Sequence, residues 1–173
     1  AKTWYVTLKN NASDIKNTFE YVWFPPPSKA GDGPRSGIQE GYVPRELNIL
    51  DSQYGSEAEL KQAISSISPA KAIADIVINH RDGSTGWADF KDPFWTADYY
   101  SICRDDEFFN AGNPGAGLTN YGAVDSGAVY GSFRDLDHTN ASVQNGIKTW
   151  MNSRLKDVGF VGWRYDYVKG YDG

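Results

Sequence analysis

The chain has 173 residues, 40% of them hydrophobic, enough for one domain with a buried core rather than a disordered tail. A formal net charge of -5 without any run of Lys and Arg argues against nucleic acid or anionic lipid as a partner, because clustered cations draw such partners. No apolar run approaches the roughly 18 to 20 residues that cross a bilayer, so no membrane partner is expected.

The opening AKTWYVTLKN lacks a basic stretch leading into an apolar run and does not read as a signal peptide. Cys103, the single cysteine, cannot form an internal disulfide and says nothing about export. The aromatic content of 14% is high, with 6 Trp and 11 Tyr. Such rings build cores, and they also stack on the apolar faces of sugars.

Along the chain, Trp4, Leu8, Ala12 and Ile15 mark a weak helical stripe ending near Asn17. Phe19 to Phe24, FEYVWF, is aromatic and β-branched and is stopped by Pro25, Pro26 and Pro27, which predicts a strand with a hard end. Ser56 heads a helix with Glu59 at capping-box spacing and Leu60, Ala63, Ile64 and Ile67 on its apolar face. After Pro69, AIADIVI (Ala72 to Ile78) is an almost continuous apolar run of the kind buried on both faces of a parallel sheet, interrupted by Asp75.

From Arg81 to about Arg134 the sequence is rich in Gly, Asp and aromatics with little periodicity, too long for an ordinary connection and read as a functional excursion. Thr139 or Asn140 then caps a helix to about Lys156, with Val143, Ile147, Trp150 or Met151, and Leu155 facing the core; Phe160 to Tyr165 follows as a strand. Strands alternating with helices predict an α/β fold with a parallel sheet, whose chemistry belongs at the C-terminal ends of the strands.

Polar groups cluster at such ends: Pro25 to Ser28 leading to Tyr42, then Asn79 and His80, then Arg164 and Asp166 with Lys169. Asn79 and His80 alone read equally well as a strand-end turn. An acid placed two residues after an Arg on a strand of Phe160, Val161, Trp163 and Tyr165 suggests a carboxylate kept ionised by a fixed guanidinium, with a plain buried ion pair as the alternative.

These residues in this order resemble the α-amylase family of glycoside hydrolases. DIVINH (Asp75 to His80) is similar to the family motif at barrel strand three, and GWRYDYVKGY (Gly162 to Tyr171) to the motif at strand four. GYVPRELNILDSQYGS (Gly41 to Ser56) resembles the segment after strand two, and RDLDH (Arg134 to His138) the return from the family's inserted domain B.

The resemblance implies an incomplete (β/α)8 TIM barrel with a loop-rich domain B after strand three. The expected divisions are 1–80 and 135–173 for the catalytic domain and 81–134 for the insertion. It implies a retaining hydrolase of internal α-1,4 bonds in starch or related glucans, with Asp166 as nucleophile, Arg164 orienting it, Tyr42 and His80 at the sugar being cut, and Lys169 on the leaving side. It also implies a calcium ion (Ca2+) held by Asn79, Asp135 and the Gly170 carbonyl. Gly115 stands where the family has a further acid, with Asp125 or Asp106 as substitutes.

A complete barrel takes roughly 250 residues. The chain is therefore expected to hold strands two to four of a longer, secreted, monomeric enzyme, with the acid/base Glu beyond residue 173. Glu107 and Asp137 match no part of that role. Two other readings remain open: a non-catalytic α-glucan-binding module, and a different hydrolase in which Asn79, His80, Asp135 and Asp166 hold a catalytic ion.

Overall fold

A computed structural model describes residues 3–31, 40–83, 89–93, 98–105, 122–128 and 133–172. Two short helices, α1 (Trp4–Asn10) and α2 (Ala12–Thr18), replace the single weak stripe; Thr3 caps the first, its hydroxyl accepting from the Val6 amide. Strand β1 (Tyr21–Phe24) leads to a small antiparallel pair, β2 (Lys29–Ala30) and β3 (Pro44–Glu46). Helix α3 (Glu57–Ser66) begins with the capping box expected from Ser56 and Glu59, both reciprocal hydrogen bonds being formed.

Strand β4 (Lys71–Ile76) ends two residues before the end of the apolar run, so Val77 and Ile78 lie in the loop yet stay buried. The pair β5 (His80–Arg81) and β6 (Arg134–Asp135) follows, then α4 (Ala141–Thr149), capped by the Asn140 side chain on the Ser142 amide. The helix runs on through a π-helical stretch, Trp150–Leu155, into α5 (Lys156–Val158), and strand β7 (Gly162–Tyr165) closes the series. Among the described residues no helix is long and apolar enough to cross a membrane.

The strands β1, β4 and β7 form one parallel sheet in that spatial order, with Trp23 opposite Ile73, Ile73 opposite Gly162, and Asp75 opposite Arg164. Consecutive βα units standing side by side are the arrangement of a barrel wall. Because side chains alternate along a strand, Phe24, Ala72, Ala74 and Ile76 point to one face, where Tyr5, Leu8, Leu60, Ala63, Val143, Ile147 and Leu155 cover them as a single core. The opposite face carries Tyr21, Trp23, Ile73, Asp75 and Arg164.

The π-helical stretch has a visible packing consequence. The core positions run Val143, Ile147, Trp150 and Leu155, so the last interval is five residues, the widened repeat of a π turn. Trp150 rather than Met151 is the fully buried side chain. Arg154, displaced from the core face, donates Nε to the Asn48 carbonyl at 2.7 Å and Nη1 to Glu57 Oε1 at 3.0 Å, with Nη2 on Glu57 Oε2. Lys61 adds a second cation to Glu57 at 2.7 Å.

The excursion leaves and returns at one place. Its two ends pair as β5 and β6, and Asp82 receives Arg45 at 2.9 Å on one carboxylate oxygen and Arg134 at 2.6 Å on the other. That bridge ties the loop after β1 to both ends of the excursion.

The hydrogen bonds from Arg154, followed by Lys61, hold the Glu57 carboxyl at about 2, below its ordinary 4.5. A depressed carboxyl contributes stability that is complete above about pH 4.5 and is lost as the pH falls toward 2. Glu57→Gln should therefore cost about 1–2 kcal/mol near neutral pH. Thermal melts of the two proteins should converge as the pH is lowered from 4.5 to 2.

Candidate active site

The sheet register builds the site. Asp75 and Arg164 are cross-strand partners on adjacent parallel strands, so their side chains meet on the face away from the helices. Arg164 Nη1 lies 3.0 Å from Asp75 Oδ1 and 2.6 Å from Asp166 Oδ1, one nitrogen serving two carboxylates. The Tyr42 hydroxyl, brought in by the segment between β2 and β3, donates to Asp75 Oδ2 at 2.8 Å. Asp166 is fixed from the backbone as well, its amide donating to the Ile76 carbonyl at 2.9 Å.

Asp75 is fully buried, and burial pushes its carboxyl above the ordinary range, against the pull of the Tyr42 and Arg164 hydrogen bonds. A guanidinium can only donate, and Arg164 reaches both Asp75 oxygens, so the bonding pattern is that of the ionised form. In return Asp166 and then Asp75 raise Arg164 above its ordinary value, so it stays a cation under all ordinary conditions. Tyr42 is also raised, by burial and by donating to Asp75, and remains a neutral phenol.

Immediately after Asp166 the chain turns sharply. Tyr167 has φ 45, a left-handed conformation that a bulky residue adopts only at a cost. A short 3-10 turn, Val168–Gly170, follows. Lys169 is exposed, its ammonium 5.3 Å from the Tyr167 ring centroid, and it makes no hydrogen bond to Asp166 or Tyr42.

His80 is held against the backbone of Tyr42 and feels the charge of Asp166. Its Nε2 lies 2.8 Å from the Tyr42 carbonyl, which can only accept, so Nε2 carries the proton and Nδ1 accepts from Asn79 Nδ2 at 3.3 Å. The ring is stacked on Phe133 with centroids 5.9 Å apart, and burial lowers its basicity.

The three expected calcium ligands converge. Asn79 Nδ2 is 2.9 Å from Asp135 Oδ1, both residues are buried, and a Cβ on Gly170 would stand 2.0 Å from Asn79 Oδ1. Glycine is required there by close approach alone. Gly127 packs against the same residue, its own Cβ position falling 2.5 Å from the Gly170 carbonyl oxygen.

Two residues before it, Asp125 keeps one buried carboxylate oxygen, Oδ2, without a hydrogen-bond partner among the described residues. Burial first, then Asp125, Asp137, Asp135 and Asp105, push the nearby Cys103 thiol up, so negative charge is concentrated here. The oxygen donors and the orphaned carboxylate oxygen fit a hard cation, although no group of three or more His, Cys, Asp or Glu is gathered among the described residues. Asp106, Gly115 and Glu107 lie outside those residues.

Asp137 is occupied structurally: it accepts from the Ala123 amide at 2.7 Å and from Thr139 through both amide and hydroxyl. Asp166 is held by Arg164, and His80, Asp135 and Asp166 form no metal-holding group among the described residues, which leaves the catalytic-ion reading unsupported. Asp75 is the functional residue that the sequence reading passes over, as a mere interruption of an apolar strand. A charged residue inside a run buried on both faces was itself the signal.

The chain matches the family model described as "Alpha amylase, catalytic domain" over residues 20–173. It is 33% identical to "Probable alpha-amylase 2" of Arabidopsis thaliana over 97% of its own length and 38% of the relative's. With "Glucan 1,4-alpha-maltotetraohydrolase" of Stutzerimonas stutzeri it shares 32% identity over 97% of this chain and 30% of that one. The chain thus spans well under half the length of these relatives.

Among solved structures, an α-amylase from Malbranchea cinnamomea superposes with a TM-score of 0.68 at 23% identity, over 97% of this chain and 36% of that one. An α-amylase from Geobacillus thermoleovorans, solved as a complex with acarbose, gives 0.65 at 22% identity, covering 95% and 35%. The likeness identifies the three parallel strands as part of a (β/α)8 barrel. From the family match over most of its length, the chain belongs to the α-amylase catalytic-domain family.

Proposed function

We propose that this chain supplies the nucleophile half of the active site of a retaining hydrolase that cleaves internal α-1,4-glucosidic bonds in starch or related α-glucans. The observation that carries the reading is the seating of Asp166 at the C-terminal end of β7, held through Oδ1 by an arginine that is itself anchored on a buried carboxylate.

Asp166 Oδ2 attacks the anomeric carbon as the bond to the leaving oxygen breaks, and a general acid gives that oxygen its proton. Water then attacks the same carbon, releases Asp166, and returns a proton to the acid's carboxylate. The two carboxyl groups need to stand roughly 5–5.5 Å apart for this route. None of the described acids matches the second role, which we assign to a Glu outside the chain. Arg164 keeps Asp166 aimed; the Tyr42 ring stacks on the sugar being cut, His80 holds that tyrosine and contacts the same sugar, and Lys169 meets the sugar on the leaving side.

We assign residues 81–134 to a domain B-like insertion and 1–80 with 135–173 to the barrel. A calcium ion would be held by Asn79 Oδ1, the Asp135 carboxylate and the Gly170 carbonyl, with Asp125 as a further ligand in place of the acid missing at Gly115. When bound it supplies no chemistry at the sugar and clamps the insertion to the barrel. A monomeric, extracellular enzyme belongs to the same proposal, although one relative is named as chloroplastic.

In the full-length protein, Asp166→Asn should lower hydrolysis of a maltooligosaccharide by about 10⁴-fold, the scale of losing a nucleophile. Binding to soluble starch should persist, and turnover retained in this variant would overturn the assignment; a glucan-binding module would show no turnover to lose. Asp75→Ala leaves the Tyr42 hydroxyl and Arg164 without their shared acceptor and should cost about 1–3 kcal/mol in urea denaturation together with most of kcat.

For the ion, removal by a chelator should lower Tm, and added calcium should restore it. Asp135→Ala should abolish the difference between the two conditions, and a Tm indifferent to chelator in the parent protein would remove calcium from the proposal.

A further inference from the structure

We propose that Trp23 is a positioning residue for the reaction, holding the Arg164 guanidinium against its indole ring so that Nη1 reaches both Asp75 and Asp166. The inference rests on the reading of Asp166 as nucleophile.

Among the described residues, the side-chain hydrogen bonds of Arg164 all run through one nitrogen: Nη1 meets Asp75 Oδ1 and Oδ2 and Asp166 Oδ1. A long side chain pinned at a single atom still pivots about it, and a pivot would swing the N–H bonds of Nη1 away from one carboxylate or the other. A second contact removes that freedom. The guanidinium carbon lies 5.6 Å from the Trp23 ring centroid, within cation–π range.

Sheet register makes the contact possible. Trp23 is paired with Ile73 and Ile73 with Gly162, so Trp23 and Arg164 share a face with β4 between them. The arginine must cross β4 to reach the indole, and in doing so it passes over Asp75, its cross-strand partner.

Trp23 takes no part in the helix-side core: it belongs neither to that cluster nor to the partly buried residues packed against it. Tyr21, two residues earlier on the same face, carries Lys71 rather than Arg164 over its ring. The two aromatics share a strand face and differ in which cation they hold, so Tyr21 serves as the internal control.

The test is steady-state kinetics of the full-length protein on a chromogenic maltooligosaccharide, with Tm measured for every variant. Trp23→Leu should lower kcat about fivefold to twentyfold with KM within about twofold, as expected from loss of one cation–π contact. Trp23→Phe, which keeps an aromatic face, should recover most of that loss, and Tyr21→Leu should leave kcat near the parent value.

Unchanged kcat in Trp23→Leu, a loss confined to KM, or equal losses in the Leu and Phe variants would each overturn the proposal. If Trp23→Leu does not fold, the graded series decides. A fall in kcat from Trp through Tyr to Phe at constant Tm supports the contact, and a fall that tracks Tm removes it. Asp166→Asn, run in parallel, separates the two readings. Activity surviving that change sinks the nucleophile assignment, whereas its loss beside a silent Trp23→Leu sinks only the role of Trp23.

Discussion

The site is organised around one buried charge. Asp75 has no contact with solvent, and an isolated carboxylate in that position would be expelled or neutralised. It is kept in place by two donors of different origin: the Tyr42 hydroxyl from the segment between β2 and β3 and the Arg164 guanidinium from β7. Satisfying this one group therefore fixes the relative placement of three strand ends. Asp166 inherits its orientation, because the arginine that reaches it is already committed to Asp75.

The same logic of compensated burial recurs around the excursion. Asp82 is shared between Arg45 and Arg134, and Asn79 is tied to Asp135. Each pair joins segments distant in sequence, so polar groups at the strand ends do the joining that hydrophobic packing does beneath the sheet. The helix layer is conventional by comparison, with Leu60, Ala63 and Ile64 of α3 against Ala72 and Ala74 of β4.

The strands and the longer helices were legible because their signals were local. The capping box at Ser56, the apolar run before Asn79 and the stripe Val143, Ile147, Leu155 all depend on near neighbours in sequence. Boundaries shifted where tertiary contacts intervened: Phe19 and Glu20 precede β1, and Val77 and Ile78 stay buried without extending β4. The break at Asn11 and the π-helical stretch at Trp150 leave no local mark.

At the site, Arg164 and Asp166 were readable as an isolated pair on one strand. Asp75 carried a signal, a charge inside an apolar run, but its partners were not readable, because they stand 33 and 89 residues away and only the sheet register unites them. His80 was readable as a site residue, but the commitment of its ring to the Tyr42 carbonyl and the Asn79 amide depends on a loop fold that no periodicity encodes.

The pairing of His80 and Arg81 with Arg134 and Asp135, buttressed by Asp82, has an evolutionary consequence. With both ends of the excursion pinned at one point, doubling the length of chain between them adds only about 0.6 kcal/mol of closure entropy. The excursion's length can thus vary at small entropic cost while Asn79 and His80 keep their places, with Asp125 and Gly127 held to the positions their contacts require. Variation of that kind leaves undisturbed the wall of strands that carries Asp75, Arg164 and Asp166.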